Sequence, residues 1–166
     1  MLPWVLAAMV GCEKPAEPVS GQTSAAVTAA TSVQATPVIE WKVAADGEVA
    51  ALVSAEVLAA KRDGRTLLVY VGATWCEPCK RFHAAAEGGF IKGDLPPLRM
   101  LEFDLDKDAE RLFAAGYGSK MIPLFAVPGP DGRGTELKVE GSVKGPGAVS
   151  NIVPRLSAML ARARGS

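Results

Sequence analysis

The sequence predicts an α/β fold, a central mixed β-sheet flanked by helices. Three observations carry this. Thr66-Leu-Leu-Val-Tyr-Val71 is an unbroken apolar run, rich in β-branched residues and of strand length. Such a run suits a strand covered on both faces, hence the centre of a sheet. Strand-like and helix-like patterns alternate on either side of it, as they do in layered α/β domains. Near the C-terminus, a turn-rich stretch joins two short strand patterns, which calls for an antiparallel pair.

Val38-Ile-Glu-Trp-Lys-Val43 reads as the first strand. Val49, Leu52, Val53, Val57 and Ala60 then recur at helical spacing, with Lys61 and Arg62 in the last turn and Gly64 as a stop. After the central strand, Cys76 to Ala86 can form a helix, because Pro78 falls in its first turn where a missing N–H costs little. Gly88-Gly89 ends it. Leu98 to Leu105 alternates, with Leu101, Phe103 and Leu105 on one face and Met100, Glu102 and Asp104 on the other. Asp106 to Ala115 is a short helix stopped at Gly116, and the charge cluster Asp104 to Glu110 reads as its solvated start, with no function assigned. Leu124 to Val127 is a strand, Pro128 to Gly134 a turn, and Glu136 to Val139 the antiparallel partner. Val149, Ile152, Val153, Leu156 and Leu160 mark a closing helix; Pro154 inside that stripe means a kink or a later start. No internal repeat is present.

Composition narrows the function. Of 166 residues, 49% are hydrophobic and 22% charged, which excludes a wholly disordered chain. Eighteen basic residues balance eighteen acidic ones, so a nucleic-acid partner is not expected. Three cysteines are too few for a disulfide scaffold, and one histidine leaves little for a histidine-based metal site or a Ser-His-Asp triad. No window reaches the roughly 18–20 continuous apolar residues of a membrane-spanning helix.

Residues 13–37 hold six Ala, four Thr, three Ser, three Pro and two Gln, but no Leu, Ile or aromatic residue. The segment is read as a disordered linker, with a reach of roughly 25–30 Å. Before it stands the apolar run Met1 to Gly11, followed by Cys12. Met9-Val10-Gly11-Cys12 resembles the lipobox of bacterial lipoprotein signals, although no Lys or Arg precedes the run. The resemblance implies a signal segment over 1–12, lipidation at Cys12, a membrane tether and work outside the cytoplasm, on the periplasmic or extracytoplasmic side. The alternative is an ordinary apolar N-terminus with a free thiol.

The chemistry concentrates at Trp75-Cys-Glu-Pro-Cys79. Two cysteines three apart, after a buried strand and opening a helix, can form a disulfide across the first turn. Cys76 would lie near unpaired N–H groups and the positive end of the helix macrodipole, which favour its thiolate. Lys80 and Arg81 push the same way, and Glu77 pushes against it. Cys79, one turn in, is expected to be more buried. Cys76 therefore attacks a partner's disulfide, and Cys79 resolves the mixed disulfide.

At this point the sequence resembles thioredoxin. Thioredoxins carry a Trp before the first Cys and a Pro before the second, as Trp75 and Pro78 do. Tyr117-Gly-Ser-Lys-Met-Ile-Pro123 is similar to the loop that ends in Ile and a cis-proline, and Pro123 follows Cys79 by 44 residues. Gly141 matches a family glycine near the substrate groove. The resemblance covers residues 38–163 and implies a thioredoxin fold over the domain 38–166. It implies that Pro123 is cis, that the Ile122 backbone pairs with an extended substrate, and that Trp75 covers the active site. Met121 is read as groove wall or core.

One departure stands out. The family's buried acid, six residues before the first Cys, is replaced by Tyr70, while Glu102 stands where the neighbouring strand often has Lys. The carboxyl has then either changed strands, leaving Glu102 as general base for Cys79, or Glu102 is a surface residue. His83, four residues after Cys79, either joins the cysteines in a small metal site or is a half-buried helix residue. Covalent haem attachment is excluded, because Lys80 follows the CxxC.

The resemblance implies a protein-disulfide reductase without cofactor or metal, monomeric, acting on disulfide- or thiol-containing proteins. Ile122, Glu77 and the lack of His between the cysteines resemble reducing members of the family. Electrons would come from a membrane carrier of the DsbD type. Alternatives are a disulfide oxidase or isomerase, or a metal-binding or delivery module that uses the thiols as ligands.

Overall fold

The computed structural model describes residues 38–91 and 95–165. The signal-like segment 1–12 with Cys12, and the linker 13–37, lie outside the described residues. The chain divides into two units, Met1–Gln34 and Ala35–Ser166, and the second carries every element below.

The elements are β1 (Ile39–Val43), α1 (Val49–Arg62), β2 (Thr66–Gly72), α2 (Glu77–Glu87), β3 (Leu98–Asp104), α3 (Leu105–Ala114), β4 (Leu124–Pro128), β5 (Gly134–Glu140) and α4 (Ala148–Arg164). They form one mixed five-stranded sheet in the order β1-β3-β2-β4-β5. β1 and β2 both pair parallel with β3, β4 pairs antiparallel with β2, and β5 antiparallel with β4. This is a thioredoxin-like arrangement. β2 is central, as its unbroken apolar run requires, and every residue from Leu67 to Gly72 is buried.

Strand alternation sends the core to both faces. Leu68, Tyr70, Leu98 and Met100 pack with Phe82 of α2 and with Ile152, Leu156 and Leu160 of α4. Leu67, Val69, Val71, Leu101 and Phe103 pack with Val49 and Val53 of α1 and Leu112 of α3. Arg99, between Leu98 and Met100, is only 7% exposed. Its guanidinium bonds Glu56 of α1 at 2.8 Å, Asp63 at 2.7 Å and Glu40 of β1 at 3.0 Å. A strand cation is buried here because two acids of α1 and its C-cap and one of β1 converge on it.

Local chemistry sets the element ends. The Glu48 carboxylate accepts the N–H groups of Ala50 and Ala51 and caps α1. Asp104 caps α3 by accepting the Asp106 N–H. Leu105, expected at the end of β3, is thereby the first residue of α3. β5 is longer than its apolar pattern, and Pro128, expected in the turn, closes β4 where the β4–β5 register shifts. Gly132 meets α1 so closely that a Cβ there would lie 2.0 Å from the Ala50 carbonyl oxygen. α4 begins at Ala148, ahead of Pro154, so the later start is excluded. Pro154 is exposed, on the solvent side of the helix.

Candidate active site

The site is built at the C-terminal ends of the parallel strands, where such sheets place their ligands. From Gly72 the chain turns through Ala73, whose carbonyl accepts the Cys76 N–H at 3.1 Å, and enters α2. Cys76 is the N-cap, in extended conformation, and its Sγ accepts the Cys79 N–H at 3.3 Å. Pro78 lies in the first turn, where helices leave N–H groups unpaired. Cys76 and Cys79 are joined by a disulfide, with Cα atoms 5.3 Å apart. Cys79 is the more buried, but the margin is small: 2% exposed against 4% for Cys76.

Glu77, between the sulfurs, does not act as a free charge. Its carboxylate pairs with Arg81 and accepts the Gly145 N–H from the loop before α4 at 3.0 Å. Arg81 first, and the Gly145 bond second, hold Glu77 below the usual carboxylate range. Arg81 and Glu77, expected to act on Cys76 in opposite directions, therefore largely satisfy each other.

Trp75 is 61% exposed, yet its indole N–H donates to both carboxylate oxygens of Asp106, at 2.9 and 3.2 Å. The cluster Asp104 to Glu110 is a helix start, as expected, and it also makes contacts outside the helix. Asp104 caps α3, Asp106 holds the indole, and Asp108 accepts the Asp104 N–H and pairs with Arg111. The register Gly72↔Asp104 brings the start of α3 alongside the loop that carries Trp75.

The Ile122–Pro123 peptide is cis. Pro123 is buried, and its carbonyl accepts the Gly141 N–H at 2.9 Å. Trp75, Ile122 and Gly141 line one groove of about 240 Å³, together with Met121 and Ser142. Gly141 has φ +62°, and a Cβ there would come within 3.1 Å of the Met121 side chain. Met121 is thus groove wall, 58% exposed. Ser119 shapes the approach to it, donating to the Met121 carbonyl and accepting its N–H.

Cys79 and Glu102 line a second, larger cavity of about 530 Å³. Tyr70 and Glu102 face each other in register across β2 and β3. The Tyr70 ring is fully buried, and its hydroxyl has no hydrogen-bond partner among the described residues. Burial first, and the Glu102 charge second, push its pKa up, so the phenol stays neutral. Glu102 is half-buried, and its Oε1 lies 2.9 Å from Nε2 of His83. The His83 ring stacks on Trp41 at 3.7 Å, nearly parallel, and meets Tyr70 edge-on at 5.2 Å. Among the described residues no group of three or more His, Cys, Asp or Glu is placed to hold a metal ion.

Cys79 thus shares a cavity with Glu102 and His83, and Trp75, next to Cys76 in the chain, lines a groove with Ile122 and Gly141. Comparison of the chain with protein-family models and with curated proteins finds no match.

Proposed function

We propose that this protein is a thiol–disulfide oxidoreductase of the thioredoxin family that reduces disulfides of exported proteins through Cys76 and Cys79. The observation that carries the reading is the disulfide across the first turn of α2, with Cys76 as N-cap accepting the Cys79 N–H. The same N–H and the helix terminus would stabilise a Cys76 thiolate in the reduced form. That thiolate attacks one sulfur of a partner's disulfide and expels the other as a thiolate, which takes a proton from solvent. Cys79 then gives its proton to the Glu102 carboxylate, and its thiolate attacks Cys76 Sγ. The Cys76–Cys79 bond forms, the second partner thiol leaves, and two electrons have passed to the partner.

The groove at Trp75, Ile122 and Gly141 is the docking surface in this reading, and an extended partner segment pairs with the Ile122 backbone. Lipidation at Cys12 would tether the monomer outside the cytoplasm, and a membrane carrier of the DsbD type would return electrons to the disulfide.

The test is the reduction potential of the pair, followed by Trp fluorescence in defined dithiol buffers. A potential near thioredoxin's value of about −270 mV supports a reductase, and one near DsbA's value of about −120 mV means an oxidant. Cys79→Ser should accumulate mixed disulfides with partner proteins and Cys76→Ser should not. A protein that forms no disulfide at any buffer ratio would refute the redox reading.

A further inference from the structure

We propose that His83 is a positioning residue for Glu102, holding its carboxylate ready to take the Cys79 proton; this rests on the redox reading above and deepens it. The two side chains come from different elements, α2 and β3, and meet at 2.9 Å. His83 lies one helical turn beyond Cys79, and all three residues line the same cavity of about 530 Å³. A side chain at i+4 projects beside that at i, so the imidazole and the resolving thiol are neighbours along the helix.

The ring is not free to wander. Trp41 covers one face at 3.7 Å and Tyr70 meets it edge-on, with Nε2 lying 2.9 Å from the Glu102 carboxylate. An imidazole placed only to fill space would not need a carboxylate partner. Nor can Tyr70 orient Glu102 in its stead, because the buried phenol makes no hydrogen bond to it. A half-exposed glutamate has three side-chain torsions to sample in water. The 2.9 Å contact with Nε2 limits them and engages one carboxylate oxygen, so that the other is available to the cavity. The proton leaving Cys79 goes to that carboxylate and then to solvent, and His83 itself gains no proton in the step.

The experiment separates the two thiol steps. Reduced protein is mixed in a stopped-flow with a symmetric aromatic disulfide that releases a coloured thiolate. The first equivalent of colour reports Cys76 attack, and the second reports Cys79 attacking Cys76 Sγ. His83→Phe keeps a flat ring against Trp41 and removes the N–H, whereas His83→Gln keeps a donor near the Nε2 position. Because a well-placed base contributes about 10²–10⁴-fold, loss of its positioning should slow the second phase of His83→Phe by about 10-fold. The first phase should be unchanged, and His83→Gln should recover much of the second. Glu102→Gln should slow the second phase at least as much, and adding His83→Phe to it should cost nothing further.

A second phase that is unchanged in His83→Phe, while Glu102→Gln slows it, would overturn this proposal and leave the redox reading standing. Equal slowing by His83→Phe and His83→Gln would also overturn it, by pointing to packing. Absence of the first phase in the unaltered protein would refute the redox reading itself.

Discussion

Removing Arg99 should expose how the α1 side of the sheet is held together. The guanidinium is 8% exposed and binds three carboxylates that differ in how they would respond to its loss. Asp63 is 55% exposed and returns to water at little cost. Glu40 is 37% exposed and keeps Arg65 as a partner at 2.9 Å. Glu56 is 8% exposed and, among the described residues, keeps Lys42 at 2.5 Å. Stranding a buried charge typically costs about 3–5 kcal/mol, and with one of three acids stranded and still facing a cation, Arg99→Met should cost about 3 kcal/mol. Thermal unfolding of the oxidised protein should then fall by roughly 10 °C. Replacing Glu56 as well, in Arg99→Met/Glu56→Leu, removes the stranded charge and should recover most of the loss. Urea denaturation with the disulfide kept intact measures both, and unlike guanidinium chloride it does not screen the charges. A loss below about 1 kcal/mol for the single variant, or a double variant no better than the single, would mean that water already serves the cluster.

Two further predictions concern the chemistry. Glu77→Gln removes a negative charge next to Cys76 and frees Arg81, both of which favour the Cys76 thiolate and hence the reduced form. The reduction potential should rise by about 10–30 mV, measured against defined dithiol buffers, and a fall would contradict the electrostatic account. Asp106→Leu releases the Trp75 indole. It should slow reduction of a protein disulfide such as insulin's by roughly 2–10-fold, the worth of one exposed charge-assisted hydrogen bond. Reduction of a small aromatic disulfide should be unaffected, and equal slowing of both substrates would remove Trp75 from the docking surface.

What could be read from the chain was local. Cys76, Pro78 and Cys79 announce themselves because a helix turn brings residues three apart together. The element order follows from apolar periodicity, and β2 was placed at the centre by a run with no polar face. Three contacts were invisible for a shared reason: each depends on register or packing between elements distant in sequence. Trp75 meets Asp106 because Gly72 stands opposite Asp104, and an acid in the first turn of a helix reads as helix chemistry alone. His83 meets Glu102 because α2 packs on the face of the sheet that carries Tyr70, with a ring stack on Trp41 of β1 that no spacing reveals. Arg99 looks like a polar position on a half-exposed strand until three acids, from α1 with its C-cap and from β1, are brought to it. The strand end of β3 was misjudged by one residue because the cap of Asp104 outweighs the apolar alternation that would carry Leu105 into the strand.

Tyr70 changes what activity demands of folding. An acid in the middle of β2 would be desolvated, and a protein that keeps such a group ionised gives up stability to do so. A neutral phenol makes no such demand, and the carboxylate in register beside it, Glu102, is half-exposed. With Tyr70 in that position, β2 therefore adds no trapped negative charge beneath the sulfurs at neutral pH. The raised phenol pKa works in the opposite sense: its contribution to stability is whole below about pH 10, the value in an unfolded chain, and is lost as pH climbs from there toward the folded value. Tyr117, also buried and raised, adds to the same alkaline limb. Across neutral pH, the fold and the thiol chemistry can each be tuned without loading the other.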